Sequence, residues 1–174
     1  GYELYEAFIS GCQNEQFIKA IPLRRSAEIF EEIREKTLEV KKKHGITPKV
    51  DLVCFGLLKQ YKPRADFSSD FYKVGGLENK VHDGFEDGKD AAEKMKDCAS
   101  KVMVICSTDP IYEEVVPEFA SKLKEYKPDV QLVLAGFPKE KIEEYKKAGV
   151  DDFIHLRANN YQILKDTQKF LGID

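Results

Sequence analysis

The sequence has little net charge and no long apolar run. Its 174 residues carry a formal net charge of −3, which gives no basic surface for nucleic acid or for an anionic membrane. No apolar stretch approaches the roughly 20 residues that a membrane-spanning helix needs. The N-terminal stretch GYELYEAFISG lacks the basic and apolar segments of a signal peptide. We therefore predict a cytoplasmic protein that binds neither nucleic acid nor membrane.

The spacing of the cysteines does not suggest a metal site. None of the four cysteines forms a C-x-x-C pair, so a zinc site is not expected. Two of them lie within apolar, strand-like runs and are interpreted as small buried side chains in a reducing compartment. The four are Cys12, Cys54, Cys98 and Cys106, of which Cys54 and Cys106 are the pair in apolar runs.

The three histidines show no ligand spacing either. His44 and His82 lie far from each other in sequence, and His82 is predicted to be a surface residue on an edge strand. His155 follows the last strand beside Arg157 and is the histidine best placed for chemistry. No carboxylate or nucleophile accompanies it, so catalysis there is not favoured.

Phosphate-binding and phosphoacceptor motifs are also missing. Neither G-x-G-x-x-G nor G-x-x-x-x-G-K-[ST] follows a predicted strand, and Gly56 is followed by two leucines. A receiver-type phosphoacceptor needs acidic residues at the carboxyl end of the first strand. Asp51 stands at the other end and is interpreted as a solvent-exposed carboxylate.

From residue 49 onward, five strand-like segments alternate with helix-like segments. The first, third and fourth are apolar runs that suit strands covered by helices on both faces, whereas the second and fifth are more polar. An order of 2-1-3-4-5 puts the polar pair at the edges. The segments are KVDLVCFG, ENKVHDGF, KVMVICS, VQLVLAGF and DDFIHLR. We therefore predict an α/β flavodoxin-like fold, a five-stranded parallel sheet with helices on both faces.

The connecting segments have helical spacing. RADFSSDFYKVGG predicts a helix after a loop that contains three basic residues, and DGKDAAEKMKDCAS predicts a helix that reaches Cys98. Asp109 is a plausible N-cap for the next helix. Pro117 then predicts a break or a new helix start.

Residues 1–48 differ from the rest. A charged helical pattern runs through LRRSAEIFEEIREKTLEVKKKHG, and its apolar stripe is Phe30, Ile33, Thr37 and Val40. Either this helix packs on the sheet domain, or it is a linker from a domain that precedes it. We favour the linker, because the aromatic residues of GYELYEAFISG have no partner element.

The order and amino-acid sequence of several segments resemble the cobalamin-binding domain of methylmalonyl-CoA mutases. More narrowly, they resemble the C-terminal part of the small, non-catalytic subunit of bacterial heterodimeric mutases. The resemblance covers nearly everything after residue 22. The segments that carry it are RRSAEIFEEIRE, KVDLVCFGLLKQYKPRADFSSDFYKVGG, VMVICSTDPIYEEVVPEFASKLKE and VLAGFPKEKIEEYKKAGVDDFIHLRANN.

In that family the active domain holds cobalamin through D-x-H-x-x-G in the loop after the first strand, with the histidine as the cobalt ligand. The resemblance places Lys59 at the aspartate position, Tyr61 at the histidine position and Arg64 at the glycine position. A phenol is a poor replacement for imidazole at cobalt. Lysine cannot orient a ligand by accepting its proton, as the aspartate does.

Other positions of the family's pocket also differ. A Gly-Gly turn after the fourth strand is replaced by Ala135-Gly136, and a glycine-rich turn after the fifth by HLRANN, so His155 and Arg157 are expected to occupy the space of the nucleotide tail. Ser107 matches a serine of the family. The resemblance therefore implies a vestigial pocket at Lys59, Tyr61, Arg64, Ser107, Ala135, Gly136, His155 and Arg157.

The resemblance implies a division of labour between subunits. Residues 1–48 would be the tail of a segment that joins a missing barrel domain to a degenerate cobalamin-binding-like domain at 49–174. The parent enzyme would isomerise methylmalonyl-CoA and succinyl-CoA with adenosylcobalamin in its large catalytic subunit. This chain would bind no cofactor and would have a structural role in the heterodimer. The alternatives are a module that binds a small anion or a corrin-like molecule at these loops, and a cobalamin carrier with an unusual base-on mode.

Overall fold

A computed structural model describes residues 27–173, which form one parallel sheet flanked by helices. The strands are β1 (Lys49–Phe55), β2 (Glu78–Phe85), β3 (Val102–Cys106), β4 (Gln131–Ala135) and β5 (Asp152–Ile154). The helices are α1 (Glu28–His44), α2 (Leu58–Val74), α3 (Gly88–Met95), α4 (Asp109–Tyr126), α5 (Ile142–Ala148) and α6 (Asn160–Phe170). The strand order is β2-β1-β3-β4-β5, so the predicted flavodoxin-like sheet with β2 and β5 at its edges is confirmed.

Each face of the sheet has its own apolar core. Alternate residues of β1 point to opposite faces, so Val53 and Phe55 pack with α3, α4 and α5, while Leu52 and Cys54 pack with α2 and α6. Val104 of β3 is fully buried between its neighbours on β1 and β4. The central strands are therefore covered on both faces, as their apolar runs predict.

The edge strand β2 contains an irregularity. Val53 pairs with His82 and Phe55 with Phe85, so β2 has one more residue than β1 in this interval. Gly84 has a φ of 79° there, a conformation that glycine adopts at little cost. The extra residue returns Phe85 to the face of Phe55, where the two ring centroids are 5.9 Å apart.

Helix α1 packs against the rest of the described chain. Ile33 and Thr37 of its apolar stripe are buried, and the Phe30 ring meets the Tyr161 ring of α6 edge to face. Thr37 Oγ1 donates to Gly75 O at 2.7 Å, and Gln168 Nε2 donates to Ile33 O at 2.6 Å. The helix therefore packs on the sheet domain, while its role as a linker from a preceding domain stays a prediction. The boundary at residue 48 stays a prediction, and GYELYEAFISG and Cys12 lie outside the described residues.

Three local predictions were wrong. Helix α4 continues through Pro117 without a break, and its N-cap is Thr108 rather than Asp109. The carbonyl that Pro117 cannot satisfy belongs to Glu113, which is exposed and accessible to water. Helix α3 ends at Met95, so Cys98 lies beyond it.

Between residues 27 and 173, no helix is both long enough and apolar enough to cross a membrane.

Candidate functional site at the carboxyl end of the sheet

The segment after β1 is a helix from its third residue onward, not a loop. Gly56 leaves the strand with a φ of 83°, and α2 begins at Leu58. Gln60 Oε1 accepts from Leu57 N at 2.7 Å, which satisfies one of the free amides at the helix start. The first two turns of α2 therefore contain Lys59, Tyr61 and Arg64, and the helix fixes the directions of their side chains. Lys59 is exposed.

Tyr61 points into the protein beside the end of β2. Its hydroxyl donates to Asp83 Oδ2 at 2.7 Å, and the residue is 6% exposed. The hydrogen bond to this carboxylate, with burial, raises the pKa of Tyr61 to about 12. The position that the resemblance aligns with a cobalt-ligating histidine is thus occupied by a phenol whose hydroxyl is already bonded.

The Tyr61–Asp83 hydrogen bond should make a measurable contribution to the free energy of unfolding below the pH at which Tyr61 ionises. Tyr61→Phe should lower the free energy of unfolding by ~1 kcal/mol near neutral pH. Because the folded-state pKa, about 12, exceeds the ordinary value of 10, the stabilisation should be complete below pH 10 and fade as pH rises toward 12. Denaturant unfolding of both proteins across this range measures the difference. A difference that stays constant to pH 12 would contradict the assignment.

Arg64 reaches across the carboxyl ends of β3 and β4. Its Nη1 donates to Ser107 O at 2.8 Å, and its Nη2 donates to Asp109 Oδ1 at 2.7 Å. The guanidinium carbon lies 4.9 Å from the centre of the Tyr112 ring. The Arg64 side chain is 29% exposed, so it covers this part of the crevice from the solvent side.

Beneath Arg64, Tyr112 and Ser107 tie the strand ends together. The Tyr112 hydroxyl lies 2.8 Å from Ala135 O and 3.1 Å from Ile105 O, and it accepts from Ser107 N at 2.9 Å. Ser107 Oγ donates to Phe55 O at 2.8 Å, which bridges β3 to β1. Burial raises the pKa of Tyr112. In open α/β sheets this point, where the strand order reverses between β1 and β3, is the usual ligand crevice. Here protein side chains fill it.

Ala135 and Gly136 line the same region from β4. Ala135 is buried at 1% exposure and packs on the α2 face. Gly136 has a φ of 137°, and a Cβ there would lie 3.3 Å from Arg64 Cζ. The glycine therefore permits the close approach of the guanidinium.

The residues after β5 lie apart from this cluster. His155 is partly buried, and its ring contacts that of Phe137 at a tilt of 36°, with centroids 4.6 Å apart. Arg157 is exposed, and its place in the nucleotide-tail space stays a prediction. Arg64, not Arg157, is the arginine that covers the strand ends. The structure thus brings together Tyr61, Arg64, Ser107, Ala135 and Gly136, and leaves Lys59, His155 and Arg157 outside.

Sequence reasoning missed three partners at this site, of which Asp109 binds Arg64. Asp83 binds Tyr61 from the neighbouring strand, and Tyr112 supports Arg64 from below. Asp83 alternates with His82 on β2, and β2 neighbours β1, so strand periodicity could have placed it near the start of α2. Tyr112 gave no comparable signal.

Two predictions at the opposite end of the sheet were wrong. Asp51 is 2% exposed, not a solvent-exposed carboxylate. His82 is partly buried, with its Nε2 3.4 Å from Asp51 Oδ2.

Comparison with curated proteins finds similarity to methylmalonyl-CoA mutase small subunits over most of the chain. The protein from Porphyromonas gingivalis is 28% identical over 165 residues, which are 93% of this chain and 25% of that protein. The protein from Streptomyces virginiae is 32% identical over 133 residues, 75% of this chain and 21% of that protein. The protein from Propionibacterium freudenreichii subsp. shermanii is 25% identical over 157 residues, 89% of this chain and 24% of that protein. The chain thus spans a quarter or less of these relatives. No protein-family model matches it.

Solved structures support the fold class. A cobalamin-binding protein from Desulfitobacterium hafniense DCB-2 superposes with a TM-score of 0.53 at 14% identity, over 97% of this chain and 76% of that chain. A CheY-like protein from Pseudomonas aeruginosa PAO1 superposes with a TM-score of 0.53 at 14% identity, over 69% of this chain and 98% of that chain. At these identities the likeness concerns the fold alone.

Proposed function

We propose that this chain is the degenerate cobalamin-binding-like domain of a methylmalonyl-CoA mutase small subunit, with a structural role and no cofactor of its own. The parent enzyme would isomerise methylmalonyl-CoA and succinyl-CoA with adenosylcobalamin in its large subunit. Residues 49–174 would be the domain and residues 1–48 its helical extension from a barrel domain, in a cytoplasmic heterodimer. The similarity to named small subunits supports the family part of the proposal.

The proposed loss of cofactor binding rests on the two motif positions nearest the crevice, whose side chains already bind other groups of the protein. Tyr61 is bonded to Asp83, and Arg64 is bonded to Ser107 and Asp109. A base-off cobalamin needs an imidazole at the position of Tyr61 and open space at the position of Arg64. The residues present do not fit the cofactor, so we derive no chemical step through it.

Exposed apolar side chains at the same end of the sheet support a protein partner. Leu57 and Leu58 are 62% and 60% exposed, and Leu156 is 87% exposed. Phe137, after β4, is 44% exposed. Large apolar side chains that follow β1, β4 and β5 at the carboxyl end of the sheet are typical of a surface that another subunit covers. We assign this surface at the carboxyl end of the sheet to contact with the large catalytic subunit.

Gel filtration tests both parts of the proposal. The purified chain, mixed with an equal amount of hydroxocobalamin, should elute without the cofactor and should leave its visible spectrum unchanged. Mixed with a mutase large subunit that carries an intact D-x-H-x-x-G, the chain should elute in a complex.

A substitution on the proposed contact surface tests the binding of the large subunit. Leu156→Asp should weaken that complex without lowering the melting temperature, because the side chain is exposed. Stoichiometric retention of cobalamin with a histidine-ligated spectrum would overturn the loss of cofactor binding. Retention with an unchanged lower ligand would favour the base-on alternative.

A further inference from the structure

A second cluster of polar side chains lies at the amino end of the sheet, away from the site described above. Asp51 Oδ2 is 2.5 Å from Cys98 Sγ and 3.4 Å from His82 Nε2. One ligand atom from each of the three side chains lies within 4.8 Å of the others. The three come from β1, β2 and the turn after α3, so the tertiary fold alone brings them together.

Two groups in this cluster are poorly satisfied by the surrounding chain. The Asp51 side chain is 3% exposed, and no lysine or arginine among residues 27–173 forms an ion pair with it. His82 Nε2 is buried and has no hydrogen-bond donor or acceptor in good geometry within the same residues. A buried carboxylate without a compensating charge is costly, so a cation at this point would relieve both deficits.

The donor set selects the type of cation. A thiolate and an imidazole beside one carboxylate suit Zn²⁺, whereas Mg²⁺ and Ca²⁺ prefer oxygen ligands alone. With Cys98 deprotonated, Zn²⁺, one thiolate and one carboxylate sum to zero charge. Such a neutral group is cheaper to bury than the carboxylate alone.

The distances can accommodate a tetrahedral ion with a small movement. Ordinary Zn–N and Zn–O bonds at tetrahedral angles separate N and O by about 3.4 Å, which matches the His82–Asp51 distance. The sulfur and oxygen should be about 3.6 Å apart, so Cys98 must retreat from its present contact. Cys98 lies outside any helix or strand, and Lys127 Nζ donates to its carbonyl oxygen. The side chain can therefore turn while its backbone stays anchored.

A cavity opens beside the cluster and would supply the fourth ligand. It has a volume of about 540 Å³ and is lined by Asp51 and Cys98 together with parts of α1 and the turn before β1. Water can reach an ion here, as in sites with three protein ligands and one open position. We propose that Asp51, His82 and Cys98 bind one Zn²⁺, with water as the fourth ligand. Binding releases the Cys98 thiol proton to solvent.

Titration of the chelator-treated 174-residue chain with ZnCl₂, followed by calorimetry, tests the site. One equivalent should bind, and His82→Asn and Cys98→Ser should each raise the Kd by about tenfold or more. His155→Asn is the matched control, because it removes a partly buried histidine at the other end of the sheet. Its Kd should equal that of the wild type.

Three further readouts separate ligation from a folding effect. Zn²⁺ should slow alkylation of Cys98, mapped by mass spectrometry, and Co²⁺ should give a thiolate charge-transfer band that Cys98→Ser abolishes. Circular dichroism should show the wild-type melting curve for His82→Asn without metal. If the wild type binds Zn²⁺ no more tightly than His82→Asn, or if His155→Asn weakens binding equally, the proposal is wrong.

Discussion

The Val104→Asp variant is expected to lose the cooperative unfolding transition of the wild-type chain. Val104 has 0% exposure at the middle of β3, and it lies between Leu52 of β1 and Val133 of β4. A carboxylate there has no charge partner and no water, which costs several kcal/mol. That is a large share of the roughly 5–15 kcal/mol that stabilises a domain. Thermal unfolding followed by circular dichroism measures the loss.

The same substitution on the edge strand provides the control. Val81 of β2 is 51% exposed, so Val81→Asp leaves the new carboxylate in water. Its effect on the free energy of unfolding should stay within ~0.5 kcal/mol, apart from a small loss of strand propensity. A soluble Val104→Asp protein with the wild-type melting temperature would show that the burial of β3 is misassigned.

The sheet could be predicted from sequence because its signal is local and repeated. β1, β3 and β4 are short apolar runs bounded by polar segments, and buried parallel strands require that composition. The more polar β2 and β5 could then occupy only the edges. The observed order β2-β1-β3-β4-β5 is a known doubly-wound order that puts both of these strands at the edges.

Helix boundaries were less predictable, because they depend on single hydrogen bonds and on solvent access. Helix α2 begins at Leu58 although no Ser, Thr, Asp or Asn caps it, since the Gln60 side chain serves the Leu57 amide instead. It also includes Pro63, whose missing hydrogen bond falls on Lys59, an exposed residue of the first turn. In both α2 and α4, the carbonyl that the proline leaves without a donor belongs to an exposed residue.

Apart from Asp83, which strand periodicity could have placed, the partners of the site residues could not be predicted, because they come from distant parts of the chain. The resemblance placed Tyr61 and Arg64 at a vestigial pocket, but it did not indicate what they now bind. Asp83 and Asp109 are brought to them by the strand order and by the start of α4. The Asp51–His82–Cys98 cluster was missed because its members lie on three separate segments and follow no known ligand spacing.

Restoration of the family's motif should cost stability without giving a cofactor site. The triple variant Lys59→Asp, Tyr61→His, Arg64→Gly rebuilds D-x-H-x-x-G in the first turns of α2. It removes the bonds of Tyr61 to Asp83 and of Arg64 to Ser107 and Asp109, and it puts glycine inside a helix. Together these losses should lower the free energy of unfolding by about 3 kcal/mol or more. Lys59→Asp alone should change little, because Lys59 is exposed.

The triple variant should still not bind cobalamin base-off, because α2 itself lies on the strand ends. Ala65 is 5% exposed, and Ser68 Oγ is 3.7 Å from Cys106 Sγ. None of the three substitutions moves these contacts or the Tyr112 hydroxyl that joins β3 to β4. A close-packed core relaxes only partly around an inserted group, so the nucleotide tail has no channel. The visible spectrum of hydroxocobalamin titrated with the variant measures this. A histidine-ligated spectrum with a Kd near 1 μM, about −8.2 kcal/mol, would show that the space beneath α2 opens readily and that Tyr61 and Arg64 alone had closed it.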